Sequence, residues 1–289
     1  MVTSNYNLEL LEKVLEILIF YDLFSFPPTA WEIWQHHNTK LSFLEIESIC
    51  NDLVKAGVIL EKEGFYFLPQ REDLIVTRKK RYNYSVKKLK KAYFFSRLFS
   101  RFTGIKAIAA ANYIGSHNWR LGSDIDLFII TKKGYLWRSR LYCAGLAQLL
   151  LSRPTEKKKR DKICLSFYVS EEALDLRDLE LAGGDPYFYY WRQGLLPLYA
   201  SGDIWKKFIE ANKGEKKQRK GEILKLGFWE NIAKKIQLKI MSPRLQGALG
   251  NSSGVLINDN ILKLYVRERR QEFRDKFNLK KYEIFKTIN

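Results

Sequence analysis

The sequence predicts an α+β fold, on three observations. Apolar residues recur at helical spacing through NLELLEKVLEILIFYDLF near the N-terminus and again through 71–101. Three short apolar runs, 105–114, 124–131 and 163–169, are bounded by glycine or charged turns and have the texture of buried strands. The remainder, from Leu181 onward, reads as mostly helical. The expected divisions are a unit at 1–70, a basic helical connector at 71–104, a core with a small mixed sheet at 105–180, and a basic helical region at 181–289. A chain of 289 residues is long enough for two or three domains at about 100–200 residues each. Its 46% hydrophobic and 14% aromatic content excludes a disordered or collagenous chain.

The first unit opens with the helix at 6–23. Pro27-Pro28-Thr29 restarts the chain into AWEIWQHH, and Ser42 with Glu45 forms a capping box that opens a third helix ending at Gly57. VILEKEGFYFLP then reads as two strands about a turn at Glu63-Gly64. Three helices and a hairpin resemble a winged helix. In a DNA-reading winged helix, the third helix carries Arg or Lys to bases and phosphates. Here it carries Glu45, Glu47 and Asp52 against Lys55. Packing against other protein surface, such as that of a protein partner, is therefore expected over DNA reading.

Charge is strongly segregated. Residues 1–70 hold 4 Lys/Arg against 10 Asp/Glu, 71–101 hold 11 against 2, 102–203 hold 14 against 11, and 204–289 hold 21 against 9, within an overall +18. Such an excess attracts polyanions. In the connector, Tyr82, Tyr84, Tyr93, Phe94, Phe95 and Phe99 interleave with Lys and Arg. That pattern suits a grip on single-stranded nucleic acid, and equally a solvated basic face over an aromatic core stripe. The basic C-terminal region shows no long amphipathic apolar face, so nucleic acid or nucleotide is expected there before a lipid surface. The longest uncharged apolar stretch, between Arg140 and Arg153, is too short for a bilayer crossing of about 18–20 residues. The acidic N-terminus lacks the form of a secretory signal, and Cys50, Cys143 and Cys164 are widely spaced, so reduced thiols and a cytoplasmic location are expected.

Chemistry concentrates in YIGSHNWRLGSDIDLFII. Strand periodicity puts Asp124 and Asp126 on one face, with Ile125 on the other. Two neighbouring carboxylates repel one another unless water or a cation screens them. Oxygen donors suit a hard ion such as Mg²⁺, which completes its shell from water and substrate phosphate. Gly115 allows a tight turn whose amides approach a phosphate, and Ser116 adds a hydroxyl.

A strand, Gly-Ser, a polar loop of seven residues, then Asp-x-Asp entering a second strand resembles the nucleotidyltransferase superfamily of the DNA polymerase β and minimal nucleotidyltransferase type, over roughly residues 105–170. The resemblance implies that Gly115 and Ser116, with Ser123 and Arg120 nearby, hold the phosphates of a nucleoside triphosphate such as ATP. It implies that Asp124 and Asp126 bind two Mg²⁺ ions and that a nucleotidyl group passes to an acceptor by in-line transfer.

The chain departs from the pattern where the superfamily carries a third carboxylate on a later strand. ICLSFYV, 163–169, has none; Cys164 or Ser166 stands at the expected place, with Asp161, Glu171 and Glu172 the nearest acids. A positioned base is worth roughly 10²–10⁴-fold, or about 3–5 kcal/mol. Both an active enzyme and a catalytically impaired protein that binds nucleotide or nucleic acid therefore remain open. The run Lys157 to Arg160 either steers anions to the site or forms a solvated loop. Asp185 before Pro186 marks a helix start, and the aromatic segment it opens, YFYYWRQGLLPLY, is expected to be helical and mostly core. Residues 204–241 and 261–277 are likewise read as helices, with a loop at 249–260.

Overall fold

The computed structural model describes residues 8–37, 40–111, 117–213, 225–250 and 254–288. At the N-terminus, α1 (Leu8–Leu23), α2 (Ala30–His36) and α3 (Phe43–Lys55) pack around a shared apolar core with the hairpin β1 (Leu60–Lys62) and β2 (Phe65–Phe67). Both short helices begin as their caps require. Thr29 and Ser42 accept from the amides of Glu32 and Glu45, whose carboxylates reach back to the cap amides. The hairpin turns at Glu63-Gly64, both with positive φ, which glycine adopts without a Cβ penalty.

The 27-residue α4 (Asp73–Phe99) leads from this unit to a six-stranded mixed sheet. In chain order its strands are β3 (Ile105–Ala111), β4 (Ile125–Thr131), β5 (Ile163–Ser170), β6 (Leu196–Ala200), β7 (Val255–Ile257) and β8 (Ile261–Leu264). Their spatial order is β6-β3-β4-β5-β8-β7, and only β4 and β5 run parallel. A parallel neighbour needs a crossover, supplied by α5 (Leu136–Leu149). One sheet face is packed by α4 and α5 through Phe95, Phe99, Leu136 and Trp137. The other is covered by α6 (Pro186–Gln193) and α7 (Ile204–Ala211) through Phe188, Trp191 and Phe208. The chain continues through α8 (Phe228–Lys239), α9 (Pro243–Gly247) and α10 (Arg270–Ile288).

The C-terminal region is thus not the helical region expected; it supplies three of the six strands. The segment YFYYWRQGLLPLY is helical only to Gln193. Gly194 ends the helix, and Leu196–Ala200 becomes an edge strand where Pro197 costs no interior ladder bond. Residues 255–257 and 261–264, read as loop and helix, form a hairpin that extends the sheet beyond β5. Helix α10 begins only at Arg270 and returns to α1: Phe273 stacks on Phe24 at 5.0 Å, and Lys280 and Lys281 pair with Asp22 and Glu16.

A buried ion pair joins the first unit to α4. The Arg78 guanidinium meets both oxygens of Glu32 at 2.8 Å and lies over the rings of Phe26 and Phe65 at 4.1 and 4.6 Å. Removing one member of such a pair strands a desolvated charge. Arg78→Ala should lower the free energy of urea unfolding by about 3–5 kcal/mol, whereas Arg78→Met combined with Glu32→Gln should recover most of that loss.

Candidate functional site

The loop that carries the carboxylates is fastened to one side of α4. Arg81, Ser85 and Lys88 follow at intervals of four and three residues, the spacing of one helical face. Arg81 donates to Asn118 Oδ1 at 2.8 Å, Ser85 Oγ accepts from the Trp119 amide at 2.9 Å, and Lys88 Nζ donates to Ser123 O at 2.5 Å. Trp119 is buried in the core beneath. Ser123 closes the last turn, its amide and hydroxyl both donating to Arg120 O, at 3.2 and 3.0 Å. Asp124 then stands at the entrance to β4, and Asp126 lies within it, 7% exposed.

Sheet register completes the cluster. Asp126 pairs with Ala111 of β3 on one side and with Cys164 of β5 on the other. Donor atoms of Asp124, Asp126 and Cys164 all lie within 4.8 Å of one another, the described group suited to a metal ion. The next register pair is Phe128 with Phe167, so Leu127 on β4 faces both Leu165 and Ser166 on β5, which is a β-bulge. The bulge brings Ser166 Oγ to 3.0 Å from Cys164 Sγ. Of the two residues expected at the third-carboxylate position, Cys164 is the one opposite Asp126.

The acids weighed as substitutes lie elsewhere or are engaged. Glu171 and Glu172 follow the far end of β5, where they bind the Lys133 amide at 3.0 Å and its ammonium at 3.2 Å. Asp161 sits near the loop, its amide donating to Ser123 O at 3.1 Å, but its carboxylate is held by Lys88 at 2.7 Å. Gly115 and Ser116 lie outside the described residues. Arg120 is exposed beside Arg81.

Electrostatics match a site that takes a cation. Burial pushes the Asp124 carboxyl above the usual carboxylate range, against the opposing pull of its own backbone and of Lys159 and Lys88. Burial, then Asp126 and Asp124, raise the Cys164 thiol well above its ordinary value. The donor set is therefore two hard carboxylates and a protonated thiol. The carboxylates fit a magnesium-like ion that draws its other ligands from water and phosphate.

Two flanking features have opposite character. On one side Lys157, Lys158, Lys159, Arg160 and Lys162 join Gly122 around an open cleft of about 600 Å³. On the other, Tyr187, Trp191, Lys263, Tyr265 and Phe273 help line a cavity of about 170 Å³. Both tyrosines are held above their ordinary range, first by burial and next by the charge of Asp126. Sequence reasoning missed Tyr187, Tyr265 and Lys88. Only the topology brings Lys88 of α4 to the strand entrance and sets Tyr187 of α6 beside Tyr265 at the end of β8 in one cavity.

No protein family, curated protein or solved structure matches this chain.

Without a bound cation, the buried Asp124 carboxylate opposes folding, since burial raises its pKa. A raised carboxyl favours the folded state fully below its unfolded pKa and loses that contribution as pH rises through the folded one. Asp124→Asn should therefore stabilise the metal-free chain at neutral pH by on the order of 1 kcal/mol. The gain should fade on acidification, as parallel thermal melts at neutral and acidic pH would register.

Proposed function

We propose that the chain is a divalent-metal-dependent nucleotidyltransferase whose site is Asp124 and Asp126, acting on a nucleoside triphosphate and an acceptor yet to be identified. The observation that carries this reading is the convergence of the two carboxylates with Cys164 at the mouth of a mixed sheet. The antiparallel β3–β4 pair, the parallel β5 reached through α5, and the carboxylates at the start of β4 support a polymerase-β-like core. Three helices and a hairpin support a winged-helix-like N-terminal unit.

In this reading Asp124 and Asp126 hold the ion while Lys88 fixes the loop beneath them. Lys159, whose charge acts on Asp124, draws the triphosphate toward that carboxylate, and Gly115, Ser116, Ser123 and Arg120 keep the phosphate contacts that the resemblance implies. A bound divalent ion supplies charge neutralisation for the triphosphate oxygens. Nucleotide at 100 times its dissociation constant adds about 2.7 kcal/mol of stability, a rise of roughly 2–4 °C in melting temperature for a domain of 150–250 residues. That rise should require Mg²⁺ and should vanish in Asp124→Asn/Asp126→Asn. A shift that survives in the double variant would place the nucleotide elsewhere.

Cys164 favours a second reading, a protein that binds the metal nucleotide and transfers slowly or not at all. Cys164→Asp supplies the third carboxylate across from Asp126. If only the base is lacking, the variant should raise the rate of pyrophosphate release by about 10²-fold or more while nucleotide binding changes little. An unchanged rate alongside intact binding would assign the chain to binding.

A further inference from the structure

Helix α8 buries polar side chains and exposes apolar ones. Its packed face carries Glu230, Ala233 and Gln237. Glu230 is fully buried and accepts from the amides of Trp137 and Arg138 at 2.5 and 3.2 Å, while Gln237 bridges Trp137 O and Arg140 at 2.7 and 2.6 Å. These bonds fix α8 against α5 and dictate which residues turn outward. Trp229, Ile232, Ile236 and Ile240, three or four residues apart, form a neighbouring stripe. Within it Trp229 is 66% and Ile240 72% exposed. Exposed Lys235 and Lys239 flank the stripe.

The C-terminal end of α5 carries a second exposed apolar group. Leu149 and Leu151, each 77% exposed, close α5 and lead directly to the basic loop of Lys157 to Lys162. Arg244 at the start of α9, just past α8, reaches Glu156 at the head of that loop at 2.5 Å. Scattered exposed leucines are ordinary on protein surfaces, but large apolar side chains grouped among cations mark an interaction surface.

We propose that this layer, the α8 stripe with the leucine end of α5 and the basic loop, docks on the surface of an anionic lipid bilayer. Charge complementarity selects the occupant. A second copy of the chain would bring the same cations face to face, and +18 overall opposes that approach. A nucleic acid would use the cations and leave the isoleucines and leucines in contact with its charged backbone. An anionic bilayer meets both: phosphates neutralise the lysines, and Trp229 with the aliphatic side chains enters the acyl boundary. Among the described residues no helix is long and apolar enough to cross a membrane, so the contact lies in the plane of the interface.

The test is co-sedimentation of the full chain with vesicles of phosphatidylcholine alone or mixed with phosphatidylglycerol. The chain should pellet with the mixed vesicles far more than with phosphatidylcholine alone. Ile236→Ser/Ile240→Ser should lower partitioning roughly tenfold or more, and Lys157→Gln or Lys158→Gln about fivefold per charge removed. All four positions are exposed, so melting temperatures should match wild type. The proposal is overturned if the chain stays in solution with phosphatidylglycerol, or if the isoleucine variant pellets like wild type. It is equally overturned by a concentration-dependent dimer on gel filtration that the same substitutions dissolve. Tight binding of a single-stranded oligonucleotide that ignores the isoleucine replacements and abolishes vesicle binding would reassign the surface to nucleic acid.

Discussion

The loop from His117 to Ser123 has no helix or strand of its own, and its position rests on the side of α4 it lies against. A single stripe down that helix, Arg78, Arg81, Ser85, Lys88, Ala92, Phe95 and Phe99, changes character along its length. Its first member grips the N-terminal unit, its middle members hold the loop, and its last members enter the core under the sheet. One rigid rod thereby sets the position of the N-terminal unit and the carboxylates together. Lys88 is the critical contact, a buried ammonium shared between Ser123 O and Asp161. Deleting it takes the buried ammonium from the Ser123 carbonyl and leaves Asp161 only the exposed Arg160 at 3.4 Å, which loosens the turn that aims Asp124.

The segregation of charge along the chain is partly resolved by folding. Asp22 sits between Arg71 and Lys280, Glu32 faces Arg78, and Glu16 meets Lys281. The acidic N-terminal unit is thus drawn to the basic connector and the basic last helix of its own chain. The connector's cations divide in the same way. Arg71, Arg78, Arg81 and Lys88 are engaged internally and Lys79 pairs with Glu63, while Lys80, Lys87 and Lys90 remain on the exposed side. Of the connector's aromatic residues, Phe95 and Phe99 are buried in the core, while Tyr82, Tyr93 and Phe94 are exposed on the helix.

The elements legible in the sequence were those with local signals: the two capping boxes, the Glu63-Gly64 turn, the Asp185 cap with Pro186, and the apolar runs at 105–111, 125–131 and 163–169. The carboxylate pair was legible because period two alone puts 124 and 126 on one face. The strands at 196–200, 255–257 and 261–264 escaped because each is short and owes its conformation to a neighbour far away in the chain. Pro197 was the available warning, since a proline suits an edge strand far better than a helix interior. Lys263 misled in the other direction. Its side chain is 3% exposed, with its ammonium 3.4 Å from Glu268 and its pKa lowered to about 8, first by burial and next by Arg270. A buried lysine cannot be told from a solvent-facing one by hydropathy. Likewise, no composition rule revealed that α8 would turn its isoleucines outward, because that orientation follows from Glu230 and Gln237 finding partners on α5.

Helix α10 closes on α1, and this has a consequence for the order of assembly on the ribosome. Phe277 belongs to the core of the N-terminal unit, Phe273 covers Phe24, and Lys280 and Lys281 neutralise Asp22 and Glu16. Residues 8–67 leave the exit tunnel long before residues 273–281 are synthesised. For that interval the N-terminal unit carries an uncovered apolar patch and acids missing their distal cations, at synthesis rates of about 5–20 residues per second. The unit at 8–67 emerges well before the helix that covers it, so it cannot finish packing until α10 reaches it.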